Sequence, residues 1–411
     1  MGIIDWLPWR KTEAKAVSFS QEWDNYFAMT GAKAGVPVTW ETALQVSTVL
    51  ACVRVIANGV AQVPLRVMRE LPDGKGSEPA TDHPLYTVLN RRPNRWQTSF
   101  ALRETLVLHA ALTGNAFFFK NIVRNRVREL IPFEPGMVSV TRNRDFSLEY
   151  TISGHDGTTR TLPQELVWHV RGPSWDTWRG LDAVKQAREA IGLAIATEGT
   201  QAELHANGLQ MAGTYSTEQK IDPEKYKQLQ AWIAAQVGGP NKHKPFIIDS
   251  GFTWTPQSMK GVDAQHLETR KYQVEQICAA FGVFPQLIGH ASQAMTFASA
   301  EQVFLAHVVH TLGPWWRRLE ESIDNELLDG PEDEAYFAKF NHNSLLRGAA
   351  KDRGEFYAKA LGSGGSPAWI TPNEVRALED MNPVEGGDEL PKPTNVAPAA
   401  GAPTEQDGDP S

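Results

Sequence analysis

The stretch from Phe304 to Leu327 places the tightest condition on the fold. Apolar side chains stand at Phe304, Val308, Leu312, Trp315, Leu319, Ile323 and Leu327, a stripe at three- and four-residue steps. A helix with one such face needs a core broad enough to cover it, because its stability comes mainly from packing. Pro314 lies inside the stripe and predicts a kink there, since proline has no N–H to donate and crowds the preceding turn. With 411 residues, 41% of them hydrophobic, the chain can build that core and divide into two or more domains.

Other segments add helices and strands. Val46, Val49, Leu50, Val53, Ile56 and Val60 predict one helix, ended by Pro64. "PLRVMRE" and "AFFFKNIV" read as strands joined by the helix "QTSFALRETLVLHAALTG", with Gly114 at its end. "MVSVTR", "LEYTIS" and "LVWHVR" follow as strands, so residues 45 to 172 form an α+β domain. A long helix then runs from Asp182 to Ala206, and residues 207 to 262 are a compact insert. The insert holds a helix opened by Asp222 and Pro223 and the strands "PFIIDS" and "FTWTPQS". A return helix places Leu267, Val274, Ile277, Cys278 and Phe281 on one side. Two shorter helices come last, the second opened by Thr371 before Pro372. Residues 1 to 40 lack sustained period and read as an arm ordered only against a partner, and from Gly386 the composition predicts disorder.

The net charge of −8 excludes a generally basic nucleic-acid-binding surface. No apolar stretch is long enough to span a bilayer, and "MGIIDWLPWRK" is too short and acidic for a secretory signal. Cys52 and Cys278, distant in sequence, read as reduced core thiols of a cytosolic protein. Catalytic patterns fail: no glycine-rich loop ends in Lys-Ser or Lys-Thr, and "GGPNKHK" lacks the spacing to wrap phosphates. His307 and His310 lack a third metal ligand at a suitable offset and read as a solvated or interface pair. Asp82, His83 and Ser99 lack a nucleophile elbow, so Asp82 and His83 read as turn chemistry. Trp175 and Trp178 in "GPSWDTWRG" read as a loop anchor or a subunit contact. No catalytic residue, cofactor or metal is expected.

Eight pieces in this order, "VLACVRVIANGVAQVPL", "HPLYTVLNRRPN", "RETLVLHAALTGNAFF", "LIPFEP", "WHVRG", "FGVFPQLIGH", "HTLGPWWRRLEESIDNEL" and "TPNEVRALEDMNPVEGGD", resemble the HK97-type family of tailed-bacteriophage portal proteins. Where that family often has Gly-x-Ser-Pro before a long helix, this chain has Gly180-Leu181-Asp182-Ala183, and Asp caps equally well. Val283-Phe284-Pro285 stands for the usual Val-Pro-Pro, and Ser299 for an Asn.

The resemblance implies a portal-type α+β fold with a mixed α/β wing, long stem helices, a small α/β clip insert, a kinked tunnel helix and a helical crown. It divides the chain into an N-terminal arm (1–44), wing (45–181), first stem helix (182–206), clip (207–262), second stem helix (263–284), tunnel loop (285–300), kinked helix (301–329), crown (330–391) and disordered tail (392–411). It implies a homo-oligomeric ring, a dodecamer, at one capsid vertex of the virion, assembled in the host cytoplasm. Double-stranded DNA would pass through without sequence specificity during packaging and ejection. The terminase large subunit, a head-tail adaptor and the major capsid protein would dock on the ring. His290, Ser292, Gln293, Met295, Thr296 and Ser299 would line the channel, and Lys242, His243 and Lys244 in the clip would meet an acidic partner surface. An uncharged loop suits sliding, because a lysine-rich groove would hold phosphates by counterion release. The alternatives are a phage-derived nuclease or helicase, which lacks its phosphate loop or acidic cluster here, and a scaffold or adaptor without a channel.

Overall fold

The structure is a computed structural model. It describes residues 31–72, 76–206, 213–216, 222–237, 253–256, 262–290, 297–342, 350–363, 367–379 and 381–391. In chain order these form α1 (Trp40–Gln45), α2 (Ser47–Ala61), β1 (Leu65–Glu70), β2 (Ser77–Pro79), α3 (Pro84–Asn90), α4 (Ser99–Thr113), β3 (Asn115–Val123), β4 (Arg126–Phe133), β5 (Val138–Arg142), β6 (Leu148–Ser153), β7 (Thr159–Pro163) and β8 (Val167–Arg171). The second half contributes α5 (Ala183–Gln186), α6 (Arg188–Ala206), β9 (Gly213–Ser216), α7 (Pro223–Val237), β10 (Thr253–Pro256), α8 (Val262–Phe281), α9 (Phe297–His307), α10 (Gly313–Glu326), β11 (Tyr336–Phe340), α11 (Ala350–Ala360) and α12 (Pro372–Leu378). Two compact units result: residues 1–55, 111–114 and 180–295, and residues 56–110, 115–179 and 296–411.

In the first unit, Thr39 and Thr42 exchange side-chain-to-backbone hydrogen bonds and open α1 as a capping box. The single helix expected from Val46 to Val60 is broken at its start. Val46 turns to extended backbone and buries its side chain, and α2 begins afresh with Leu50 N–H donating to the Val46 carbonyl at 3.1 Å. The long helix from Asp182 is likewise interrupted, at Ala187, although Asp182 caps it by accepting from Lys185 N–H at 3.0 Å. α6 and α8 pack antiparallel; Arg270 reaches Gln201 at 2.9 Å and Glu198 at 3.6 Å, while Ile191, Ile277 and Cys278 are buried. β9 pairs antiparallel with β10, and the expected strand "PFIIDS" lies outside the described residues.

The arm departs from expectation over residues 31 to 39. Ala32 and Val38 are buried, Lys33 N–H donates to Glu189 at 2.9 Å, and a Cβ on Gly192 would overlap that of Ala32. A missing side chain on α6 thus makes room for the arm, a contact that the arm's own lack of period conceals. Residues 1–30 lie outside the described residues.

Among the described residues, the second unit holds three antiparallel sheets, ordered β11-β1-β2, β4-β3-β8 and β5-β6-β7. Phe118 and Trp168 pack with ring centroids 5.4 Å apart, and Phe117, Tyr150 and Val167 form a second apolar cluster. Arg103 is buried and donates to the Ala61 carbonyl at 2.8 and 3.1 Å and to that of Leu89 at 3.4 Å, so one guanidinium serves the C-terminal ends of α2 and α3. Burial lowers its pKa to about 10.

α10 organises this unit. Trp315, Trp316, Leu319 and Ile323 are buried, and its carboxylates accept from strand backbones. Glu320 takes Phe340 N–H at 2.7 Å, Asp324 takes Ala338 N–H at 2.7 Å, and Glu326 takes His169 N–H at 3.1 Å. β11 and β8 are edge strands, so these three groups close edges that would otherwise stand unpaired. Lys120 Nζ donates to the Glu326 carbonyl at 2.9 Å, and Trp168 Nε1 to Ser322 at 2.9 Å.

The stripe does not bend in the manner expected. Pro314 sits in the first turn of α10, and the irregularity precedes it as a π turn, Val308–Leu312, with Gly313 N–H donating to the Val308 carbonyl. A wide turn keeps the backbone paired where proline cannot donate. Leu312 lies over Gly59 of α2, where a Cβ would come within 2.7 Å of its side chain. Residues 386–391, expected to be disordered, are instead tied to α12: Asn373 donates to the Val384 carbonyl at 3.0 Å and to Asp388 at 2.8 Å, and its N–H donates to the Gly387 carbonyl at 2.9 Å, while residues 392–411 lie outside the described residues. Among the described residues, no helix is long and apolar enough to cross a membrane.

Two measurements check this account. Asp324→Ala orphans the Ala338 N–H and is expected to cost about 1–3 kcal/mol in denaturant unfolding, most of it restored in Asp324→Asn, whose amide oxygen still accepts. Among the described residues, buried His307 has no hydrogen-bond partner for either ring nitrogen, and burial lowers its pKa to about 4. Unfolded, the ring takes its proton below about pH 6.5, so His307 reduces stability as pH falls from there to about 4. His307→Leu is therefore expected to flatten the loss of stability across that window by roughly 3 kcal/mol relative to wild type.

Candidate functional site

The segment after α8 is built from two successive glycine closures. Gly282, at φ 65°, follows Phe281; Gly282 N–H donates to the Ala279 carbonyl at 3.2 Å and Val283 N–H to that of Cys278 at 2.9 Å. This pair is a Schellman closure, completed by burial of Val283. The chain then makes one short helical turn, Pro285–Ile288, with Phe284 in extended backbone before it. Gly289, at φ 81°, repeats the device: its N–H donates to the Gln286 carbonyl at 3.2 Å and that of His290 to Pro285 at 3.0 Å. Phe284 where the related family has proline leaves the first turn intact, because the fixed φ falls to Pro285 at its start.

Of the candidate channel residues, His290 is half-buried directly after the second closure. Ser299 stands in the first turn of α9 and not in a loop, so the loop expected over 285–300 begins and ends in helical turns. The helix starts early because "FASAEQVF" has no breaker. Ser292, Gln293, Met295 and Thr296 lie outside the described residues, as do Lys242, His243 and Lys244.

The remaining candidates resolve into structural roles. His307 is buried and His310 exposed, so they are not a solvated pair; no cluster of three metal-binding side chains occurs among the described residues. Asp82 accepts from Arg69 at 3.2 Å, and His83 caps α3 through Leu85 N–H at 3.3 Å while its Nε2 lies 3.1 Å from Asp333. Asp176 accepts from the N–H groups of Trp178 at 3.1 Å and Arg179 at 2.8 Å, and the Arg179 guanidinium lies 4.0 Å from the Trp178 ring centroid. Trp178 is thereby anchored in its loop, and Trp175 is exposed.

One buried polar chain was not legible in the sequence. Tyr150 Oη lies 3.1 Å from His169 Nδ1, and His169 Nε2 lies 3.0 Å from Asn115 Oδ1. Burial drives the His169 pKa well below its ordinary value and that of Tyr150 up to about 12, so both are neutral at pH 7. The apolar run of β8, buried over four consecutive residues, marks its residues as core without showing which partner a buried histidine finds.

Because no described residue lies within 4 Å of a would-be Cβ on Gly282 or Gly289, substitution there strains the backbone. Gly282→Ala and Gly289→Ala are each expected to cost about 1–2 kcal/mol, read as a lower unfolding midpoint.

The profile of the family described as phage portal protein matches residues 47–380. The portal protein of Enterobacteria phage HK97 is 29% identical over 355 residues, 85% of this chain and 81% of its own length. The probable portal protein of Streptomyces phage phiC31 is 32% identical over 378 residues, 87% of this chain and 79% of its own. Among solved structures, the chain is similar to one in the neck of an empty GTA particle with C6 symmetry, at TM-score 0.61 and 21% identity, covering 84% of this chain and 93% of that one. A chain in the neck of the native particle with C12 symmetry gives 0.57 at 21% identity, covering 84% and 92%. The structural likeness is one of fold, and that fold is α+β of the portal type. Matched over most of its length by the family profile and by a relative at 32% identity, the chain belongs to the phage portal protein family, as an HK97-type member.

Proposed function

We propose that this portal protein works as a ring, of twelve copies, at one vertex of the virion capsid, and that the segment between α8 and α9 faces double-stranded DNA passing through the centre. The observation that carries the reading is the make-up of residues 285–300: it holds no Lys, Arg, Asp or Glu and lies between two long helices. Phosphates passing such a surface meet no cation that releases counterions, so contact does not become retention. Twelve chains of −8 carry about −96, which opposes adhesion further. The necks with C6 and C12 symmetry that share the fold support a ring.

On this reading residues 45–181 are the wing, 182–206 and 263–284 the stem, 207–262 the clip, 301–329 the helix along the tunnel and 330–391 the crown. The clip carries Lys242, His243 and Lys244 toward an acidic face of the terminase large subunit or a head-tail adaptor, and the wing meets the major capsid protein. The ring assembles in the host cytoplasm and stays at the portal vertex. It has no enzymatic activity of its own, because the motor that hydrolyses nucleotide is a separate protein.

Electron microscopy of the purified protein tests the ring: particles with an open axial hole support it, and a monomer with a closed cleft rejects it. The channel assignment is tested by charge. Gln293→Lys with Thr296→Lys adds about 24 positive charges to a twelve-membered ring and is expected to slow packaging or ejection, with relief as salt rises. Normal packaging by verified rings of the double variant refutes DNA contact at this segment.

A further inference from the structure

Cys52 of α2 and Cys278 in the last turn of α8 lie 226 residues apart in sequence, yet their Sγ atoms are 3.7 Å apart. Both belong to the first unit, both thiols are free, and neither side chain has exposed surface. We infer that Cys52 and Cys278 are a latent disulfide, a modification site closed by hydrogen peroxide.

The two sulfurs have only to approach from 3.7 Å to the roughly 2 Å of a disulfide, a movement shared between two short side chains. Their mutual hydrogen bond distinguishes them: it lowers the pKa of Cys278 and raises that of Cys52, so Cys278 ionises first. The absence of exposed surface selects the oxidant, since a bulky disulfide cannot lie beside either sulfur in the folded chain, whereas peroxide is close to water in size. The Cys278 thiolate attacks one peroxide oxygen; the O–O bond breaks, hydroxide leaves and is protonated to water, and Cys278 becomes a sulfenic acid. The Cys52 sulfur then displaces that hydroxyl, the S–S bond forms, and the Cys52 proton leaves with the hydroxyl as a second water. Two thiols and one peroxide give one disulfide and two waters, with two electrons passing from sulfur to oxygen. Contact between the sulfurs favours this closure over further oxidation of Cys278.

The bond joins α2 to the turn whose Cys278 carbonyl closes the first glycine motif at 2.9 Å. It therefore braces the helix end from which the candidate channel segment leaves, although its formation does not depend on the channel reading.

The test treats the purified native protein with dilute hydrogen peroxide and reads intact mass, thiol count after denaturation, and peptides released without reduction. The expected result is a loss of about 2 Da, disappearance of both thiols and a bridged peptide containing Cys52 and Cys278, all reversed by a phosphine reductant. Cys52→Ser and Cys278→Ser are each expected to abolish the bridge. Oxygen added at sulfur without a bridged peptide, a bridge only between two chains, or thiols untouched by peroxide that oxidises the denatured chain each overturn the inference. Should either variant fail to fold, the wild-type comparison of native and denatured protein decides it alone.

Discussion

Three backbone N–H groups on two strand edges depend on one helix. Glu320, Asp324 and Glu326 receive the N–H groups of Phe340, Ala338 and His169 on the open sides of β11 and β8, which no other described strand pairs. A three-stranded sheet depends on having its apolar face covered, and α10 supplies both a buried apolar face and the acceptors that finish the hydrogen bonding of β11 and β8. Burial pushes all three carboxyls above their ordinary pKa while the strand N–H groups pull them back. The helix thus serves two ladders at once, and small changes in its position are felt in both.

Much of this was legible in the residues. The stripe from Phe304 to Leu327 marked the long helical run and its buried face from Val308 onward, though Phe304 is exposed, Asp182 and Thr371 marked helix starts, and Gly114 marked an end where a side chain would overlap the Leu181 carbonyl. The carboxylates on α10 were not legible as edge acceptors, because a charged position on an amphipathic helix reads the same whether water or a strand receives it. β4, β7 and β11 escaped for related reasons. "RVRELIPF" places charges on a strand that is exposed on one face, "TRTLP" resembles a turn, and "YFAKF" finds β1 only after the chain has travelled from Glu70 to Tyr336. The contact between Cys52 and Cys278 was hidden in the same way, since sequence distance carries no information about it.

The candidate segment shows the opposite balance. Its composition was informative and its boundaries were not: the missing charge is plain in the letters, whereas the two glycine closures and the early start of α9 are properties of the backbone. The backbone path into the segment is set by Gly282 and Gly289, whose left-handed backbone most residues adopt only at a cost.

The π turn between α9 and α10 also fixes an angle. One residue more than an α-helical turn advances everything on its N-terminal side by about 100° around the axis. Phe304, before the turn, is 37% exposed, while Val308 and Leu312 at the two ends of the turn are buried. The stripe is continuous in the letters and discontinuous in space. Val309, 62% exposed within the turn, is the surplus residue in geometric terms. Length at this point acts as a dial: the extra residue of the π turn sets which side of α9 is presented relative to α10, while Val308, Thr311 and Leu312 keep the turn itself buried.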